Sequence, residues 1–174
     1  MRELQRLSPQ EYEQASKHSV VLVLDNIRSS YNVGSIFRTS DAFRIEKLYL
    51  CGITPTPPNK ELYKTAIGAE NTVAWEYHKT TTEVLSSLKK QGYTLLGLEQ
   101  TNESKPLHTF TFKNGTKFVI VLGNEVDGIS NESLALCDNC IEIPQFGTKH
   151  SFNVSVSCGI ILWDLYLQCF LPAS

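Results

Sequence analysis

The chain has 174 residues, 41% of them hydrophobic and 20% charged, with a net charge of −2. That length suits one domain burying about two-thirds of its unfolded surface. Usage is ordinarily globular, no apolar run is long enough to span a bilayer, and a pI near 6.1 argues against indiscriminate coating of nucleic acid.

Residues 1–18 read as a short polar N-terminal extension to a domain over 19–174, with a helix through Pro9–Ala15 capped by Ser8 and Glu11 three residues on. The start has no apolar core and no small-residue cleavage site, so no secretory signal is read and a cytoplasmic protein is expected. Val20-Val-Leu-Val-Leu24 is a continuous β-branched run, the mark of a strand buried on both faces. A polar loop leads to a helix with Asn32 as its expected cap and Val33, Ile36, Phe37 and Ser40 three to four apart. Lys47–Cys51 is the next strand. After a proline-rich loop at 54–58 come a helix over Glu61–Ile67, a strand over Thr72–Tyr77, a helix over Thr82–Lys90 closed by Gly92 and a strand over Tyr93–Leu98. Phe118–Leu122 is another buried strand. A short helix at Ser130–Cys137, a strand at Cys140–Ile143 stopped by Pro144 and a terminal helix to about Phe170 complete the chain. Strands alternating with helices predict an α/β fold, a mostly parallel sheet with helices on both faces.

One segment carries two signals. Phe152-Asn-Val-Ser-Val-Ser-Cys158 alternates apolar with polar, as a strand does, but a cap at Ser151 or Asn153 and the apolar continuation from Ile160 favour a helix. On that helix Ser155, Ser157 and Gly159 leave room for a second backbone, at a subunit interface or in a core.

Three clusters of small, polar and glycine residues each follow an apolar strand: Asn32-x-Gly34-x-x-x-Arg38, Gly123-Asn-Glu125-x-x-Gly128, and Ser151-Phe-Asn153 after Ile143-Pro144. Ligands of open parallel sheets bind beyond the carboxyl ends of strands, so the three belong at one edge. The first lacks Gly-x-Gly-x-x-Gly and the second lacks the lysine and hydroxyl of a P-loop, which leaves the usual nucleotide cradles unsupported. Cys137-Asp-Asn-Cys140 follows an apolar turn rather than opening a helix, so buried reduced thiols are the plain reading for the five cysteines. Histidines 18, 78, 108 and 150 show no metal spacing, and His150 beside Ser151 makes no nucleophile elbow. Arg28, Arg38, Arg44, Lys47, Lys60 and Lys64 gather around the first cluster, a pattern that by charge alone describes solvated surface.

Asn32-Val-Gly-Ser-Ile-Phe-Arg38, Leu122-Gly-Asn-Glu-Val-Asp-Gly-Ile-Ser130 and Ile143-Pro-Gln-Phe-Gly-Thr-Lys-His-Ser-Phe-Asn-Val-Ser155 resemble, in order and spacing, the three motifs of the SpoU (TrmH) family of RNA ribose 2′-O-methyltransferases in the SPOUT superfamily. The resemblance covers residues 19 to about 170. It implies a C-terminal trefoil knot, an exception to the rule against threaded chains. It also implies S-adenosylmethionine as cofactor, a homodimer packed through the terminal and first-motif helices with its active site built across two chains, and RNA as partner, with no metal and no membrane. Leu98, Leu122, Gly123, Asn124, Ile143, Pro144 and Phe152 would hold the cofactor. Asn32, Arg38, Glu125, Ser151 and Asn153 would form the catalytic set, and Arg28, Arg38 and Arg44 would meet RNA. Val126 departs from the glycine common at its position and narrows what that loop backbone can adopt.

Methyl transfer to a ribose hydroxyl needs an in-line approach, removal of a poorly acidic proton and stabilisation of the developing alkoxide. A guanidinium holds its proton too firmly to act as base, so Arg38 is assigned to phosphate and alkoxide, and the base is left unassigned. Taken singly, Asn32 as an N-cap, Glu125 as a loop cap and Arg38 as an ion-pair partner are ordinary structural roles. The alternatives are a SPOUT-fold RNA-binding protein without turnover and a knotted base methyltransferase. The short flanks favour tRNA over rRNA as substrate.

Overall fold

A computed structural model describes residues 7–148 and 151–171. Residues 1–6, which open the extension, and Lys149 and His150 lie outside them. β1 (His18–Asp25) and β6 (Phe118–Leu122) occupy the middle of a seven-stranded sheet in the order β3-β2-β1-β6-β4-β7-β5, every pairing parallel. The remaining strands are β2 (Ile45–Cys51), β3 (Trp75–His78), β4 (Thr94–Leu98), β5 (Lys105–Pro106) and β7 (Asn139–Glu142). The uninterrupted apolar runs follow from this placement: successive side chains of a strand face opposite ways, and both faces are covered. Val20, Leu22, Leu24, Ile120 and Leu122 pack under α2 (Ser30–Ala42), α3 (Lys60–Ala66) and α6 (Val154–Cys169). Val21, Val23, Val119 and Val121 pack under α4 (Thr81–Lys90) and the turn at α5 (Asn131–Leu134).

The expected elements are present, some with shifted ends and with one added strand. α2 begins at Ser30 and is capped by Ser29, whose Oγ accepts the Asn32 N–H at 3.2 Å, so Asn32 is not the cap and its amide is free for other partners. The third strand is the short Trp75–His78, because residues 69–71 first turn as a 3-10 helix. A two-residue strand at Lys105–Pro106 joins the sheet's far edge, where a proline costs no ladder bond. The segment with two signals is helical from Val154, because the Asn153 Oδ1 accepts the Ser155 N–H at 2.9 Å and caps α6. In the extension, α1 (Pro9–Gln14) carries the expected Ser8–Glu11 capping box, and Tyr12 is buried.

Gly34, placed in sequence among residues that approach a ligand, has a packing role instead. A Cβ there would stand 2.2 Å from the Leu62 carbonyl oxygen and from Thr65 Oγ1, so the glycine lets α2 lie directly on α3.

Candidate active site

Strand order reverses direction beside β1: the chain runs outward from β1 through β2 to β3 on one side, crosses to β4 on the other, and later places β6 between β1 and β4. The crevice beyond such a point is where open parallel sheets receive ligands. The loop after β1 and the loop after β6 face each other there, and one carboxylate joins them. Glu125 accepts the backbone N–H groups of Arg28 (3.0 Å) and Ser29 (3.2 Å) and the Asn32 side-chain amide (2.9 Å). Burial alone raises its carboxyl, but the hydrogen bonds from Arg28, Asn32 and Ser29 outweigh that and hold its pKa below the usual value. The network continues into the third motif, where the Asn153 amide donates to Asn32 Oδ1 at 3.0 Å. Asn153 Oδ1 is engaged by the N–H and hydroxyl of Ser155. Asn32 therefore touches both other motifs, donating to one and accepting from the other.

The loop over 123–130 is held as a rigid wall. Asn124 Oδ1 accepts the N–H groups of Val126 (2.8 Å) and Asp127 (3.1 Å), and the Asn124 carbonyl accepts that of Gly128 (3.0 Å). Ile129 N–H goes to Glu99 Oε2 (3.0 Å) and Ser130 N–H to Asp25 Oδ2 (3.0 Å). Five consecutive backbone donors are thus spent within the protein, so the loop is no anion nest. Asp25, 1% exposed, also accepts from the hydroxyls of Thr81 and Ser130 and from the Asn26 amide. Asn124, expected at the cofactor, uses its side chain on the loop and on the Asn26 carbonyl, and is buried. Gly123 sits beneath the returning strand of the loop: a Cβ would be 2.3 Å from the Ile129 nitrogen, and backbone cannot give way there. Val126 is accommodated without left-handed backbone, which Gly128 adopts instead at φ +71°.

A cavity of about 530 Å³ opens beside this loop, at the ends of β4, β6 and β7. Its lining includes Leu98, Leu122, Gly123, Asn124, Ile143 and Phe152 of the expected cofactor set, together with Glu125, Ser151 and Asn153; Pro144 is not among the lining residues. Glu99, Gln100, Glu142, Gln145 and Ser157 also line it. Their only sequence signal was proximity to a strand end or a motif. Among the described lining residues there are three carboxylates and no lysine or arginine.

The three arginines expected at RNA are not brought together. Arg28 lies in the β1 loop, its guanidinium 3.4 Å from the Asp127 carboxylate across exposed surface. Arg44 stands at the opposite end of the strands, before β2, where its carbonyl accepts the His18 N–H; eight residues of β1 separate that end from the site. Arg38 is exposed on α2, outside the cavity, and has no hydrogen bond or ion pair among the described residues. Among the described residues no group of three potential ligands could hold a metal ion. Burial pushes the Cys137 thiol up to about 12 and raises that of Cys140, the reverse of an activated pair. No helix of the described residues is long and apolar enough to cross a membrane.

The family described as SpoU rRNA Methylase matches residues 19–163. The 23S rRNA (guanosine-2′-O-)-methyltransferase RlmB of Neisseria meningitidis is 32% identical over 156 residues, covering 90% of this chain and 61% of that protein. The tRNA (guanosine(18)-2′-O)-methyltransferase of Escherichia coli is 28% identical over 149 residues, covering 86% and 63%. The chain thus spans about three-fifths of the length of these curated relatives. The crystal structure of the A. aeolicus TrmH/SpoU tRNA modifying enzyme superposes with a TM-score of 0.80 at 26% identity, covering 90% of this chain and 79% of the other.

Proposed function

This chain belongs to the SpoU rRNA Methylase family, and from that premise we propose that it transfers a methyl group from S-adenosylmethionine to a ribose 2′-hydroxyl of structured RNA. The observation that carries the reading is the run of hydrogen bonds from Glu125 through Asn32 to Asn153, which sets side chains of all three motifs at one end of the cavity. The cavity suits the cofactor: its volume falls in the usual range for such ligands, and its acidic lining matches a cationic molecule rich in donors. When bound, S-adenosylmethionine supplies the methyl as an electrophile on a sulfonium. Leu98, Leu122, Ile143 and Phe152 would enclose its apolar parts, while the loop over 123–130, its own donors satisfied, keeps that wall in place.

Asn32 is held by partners on both sides of its amide, so it presents a fixed edge to the substrate. Ser151 and Asn153 shape the cavity from the third motif. Arg38 is assigned to substrate phosphate and to the developing alkoxide, the role suited to a planar charge that keeps its proton. Its place outside the cavity of its own chain supports a homodimer in which it serves the partner's site. α6 supports the same assembly. Besides its buried side it exposes Val156, Trp163 and Leu167, and Gly159 would have nothing within 4 Å of a Cβ. Threading of the C-terminus is supported by the place of β7 between β4 and β5, by Ile143, Gln145, Ser151 and Phe152 in the cavity lining, and by the packing of α6 on α2. Phe146, 98% exposed and adjacent to Gln145 of the lining, offers a face on which a base can stack. A cytoplasmic setting and tRNA as the preferred substrate, with rRNA second, complete the reading.

The test is incubation of the purified protein with methyl-labelled cofactor and, separately, tRNA and rRNA from a strain lacking the gene. A labelled nucleotide whose 3′ phosphodiester resists alkali is the expected product. Label on an alkali-sensitive nucleotide would mean base methylation, and no label in either RNA would refute the assignment.

A further inference from the structure

Building on that cofactor reading, we propose that Glu99 is a positioning residue that sets the shape of the cofactor cleft. Glu99 directly follows β4, and β4 is the hydrogen-bonded neighbour of β6 with Leu98 opposite Leu122, so the two walls of the cleft start from adjacent residues. Its carboxylate joins them. Oε2 accepts the Ile129 N–H at 3.0 Å across 30 residues of sequence, and Oε1 accepts the Gln100 N–H at 3.1 Å. The Glu99 N–H in turn donates to the Ile141 carbonyl of β7 at 3.0 Å, so the residue is anchored to the third strand that borders the cavity. One side chain therefore fixes the distance between the end of β4 and the loop that follows β6.

The loop is matched to that carboxylate at a second position. Gly128 adopts φ +71°, and a Cβ there would lie 2.3 Å from Glu99 Oε2. Glycine lets the loop descend far enough for Ile129 to reach its acceptor. Removing the acceptor leaves an inward-facing N–H unpaired, and the loop must lift to hydrate it. Lifting it moves Gly123 and Asn124, which line the cavity. Glu125, on the same loop, reaches the opposite way toward α2, so the two acids hold one loop from two sides.

Positioning and direct charge attraction predict different outcomes, because S-adenosylhomocysteine lacks the sulfonium charge of S-adenosylmethionine. Calorimetric affinities for both ligands are measured on wild type, Glu99→Ala, Glu99→Gln, Gly128→Ala and the Glu99→Ala/Gly128→Ala double variant, with thermal unfolding as a check of fold. For a positioning residue Glu99→Ala weakens both ligands alike, by about tenfold, the worth of one lost part-buried hydrogen bond. Glu99→Gln returns both to within about threefold, since its amide oxygen still accepts the Ile129 N–H. Gly128→Ala weakens binding as well, and the double variant is no worse than the weaker single one, because the clash disappears with the carboxylate. Unchanged affinity in Glu99→Ala overturns the proposal. So does loss confined to S-adenosylmethionine and shared by Glu99→Gln, which would make the acid a direct charge contact. A wild-type protein that binds neither ligand would remove the cofactor reading itself, and this role with it.

Discussion

Arg38 separates stability from activity more sharply than any other residue of the proposed site. It lies in the interior of α2, exposed and unpaired among the described residues, six residues or about 9 Å along the helix from Asn32. Replacing it with alanine removes no side-chain hydrogen bond or ion pair among the described residues and introduces a better helix former, so unfolding stability should change by no more than about 0.5 kcal/mol. Turnover should fall by about 10²-fold or more, the usual consequence of removing a group that stabilises developing oxyanion charge. Arg38→Lys should recover little, because a point charge cannot reproduce the planar fork. The location adds a stronger test. If Arg38 serves the cavity of the partner subunit, Arg38→Ala and Asn153→Ala fail for reasons carried on different chains. Mixed and reassembled one to one, about half of the dimers are heterodimers with one intact site in two, and activity should return to about a quarter of wild type. Single-turnover methylation of the separate variants and of the mixture reads this directly. Near-normal turnover in Arg38→Ala would refute the role, and a mixture that forms heterodimers yet stays inactive would refute its placement across the interface.

Gly34→Ala should destabilise the fold by at least about 2 kcal/mol, since its Cβ would press on the Leu62 carbonyl where α2 lies on α3; a denaturation midpoint equal to wild type would show that the helices can part without cost. His18 should make stability fall with acid. Its ring stacks 3.9 Å from Phe170 and meets Tyr166 edge-on, Nε2 is buried without a hydrogen-bond partner among the described residues, and burial, then the Arg44 charge, depress its pKa. The unfolded chain takes up that proton first, so stability is lost as pH falls below about 6.5 until the folded pKa is reached. The melting temperature of wild type should therefore drop more steeply than that of His18→Phe between about pH 7.5 and 5; parallel slopes would exclude the linkage.

Much of the fold was legible because the apolar runs are local facts. Val20–Leu24 and Phe118–Leu122 read as strands covered on both faces, and they pack into two separate cores by alternate residues. Helix starts were less legible where several capping residues compete. Ser29, Ser30 and Asn32 are all acceptable near an N-terminus, and the choice of Ser29 is tied to Asn32 being engaged by Glu125 and Asn153, 93 and 121 residues away. Nothing near position 32 contains that information. The alternation over 152–158 competes with the helical signal for a related reason: the intervening serines fall on a helix whose cap, Asn153, is also part of the site.

The same distinction explains which site residues were found. Asn32, Glu125 and Asn153 stand in clusters whose small and polar character is visible along the chain. Glu99 and Asp25 stand at the ends of apolar strands, where an acid reads as the edge of an element and nothing more. Their function depends on sheet order: β4 and β1 both flank β6, so an acid ending either strand can meet the loop that leaves β6. Reverse any one of those neighbour relations and the same two acids would face water. Gly34 shows the converse, since a glycine within a ligand-binding motif is required by the helix packed against it. Motif spacing thus locates the groups that face a ligand, whereas the groups that hold them in place become identifiable only once parallel strands have been assigned their neighbours.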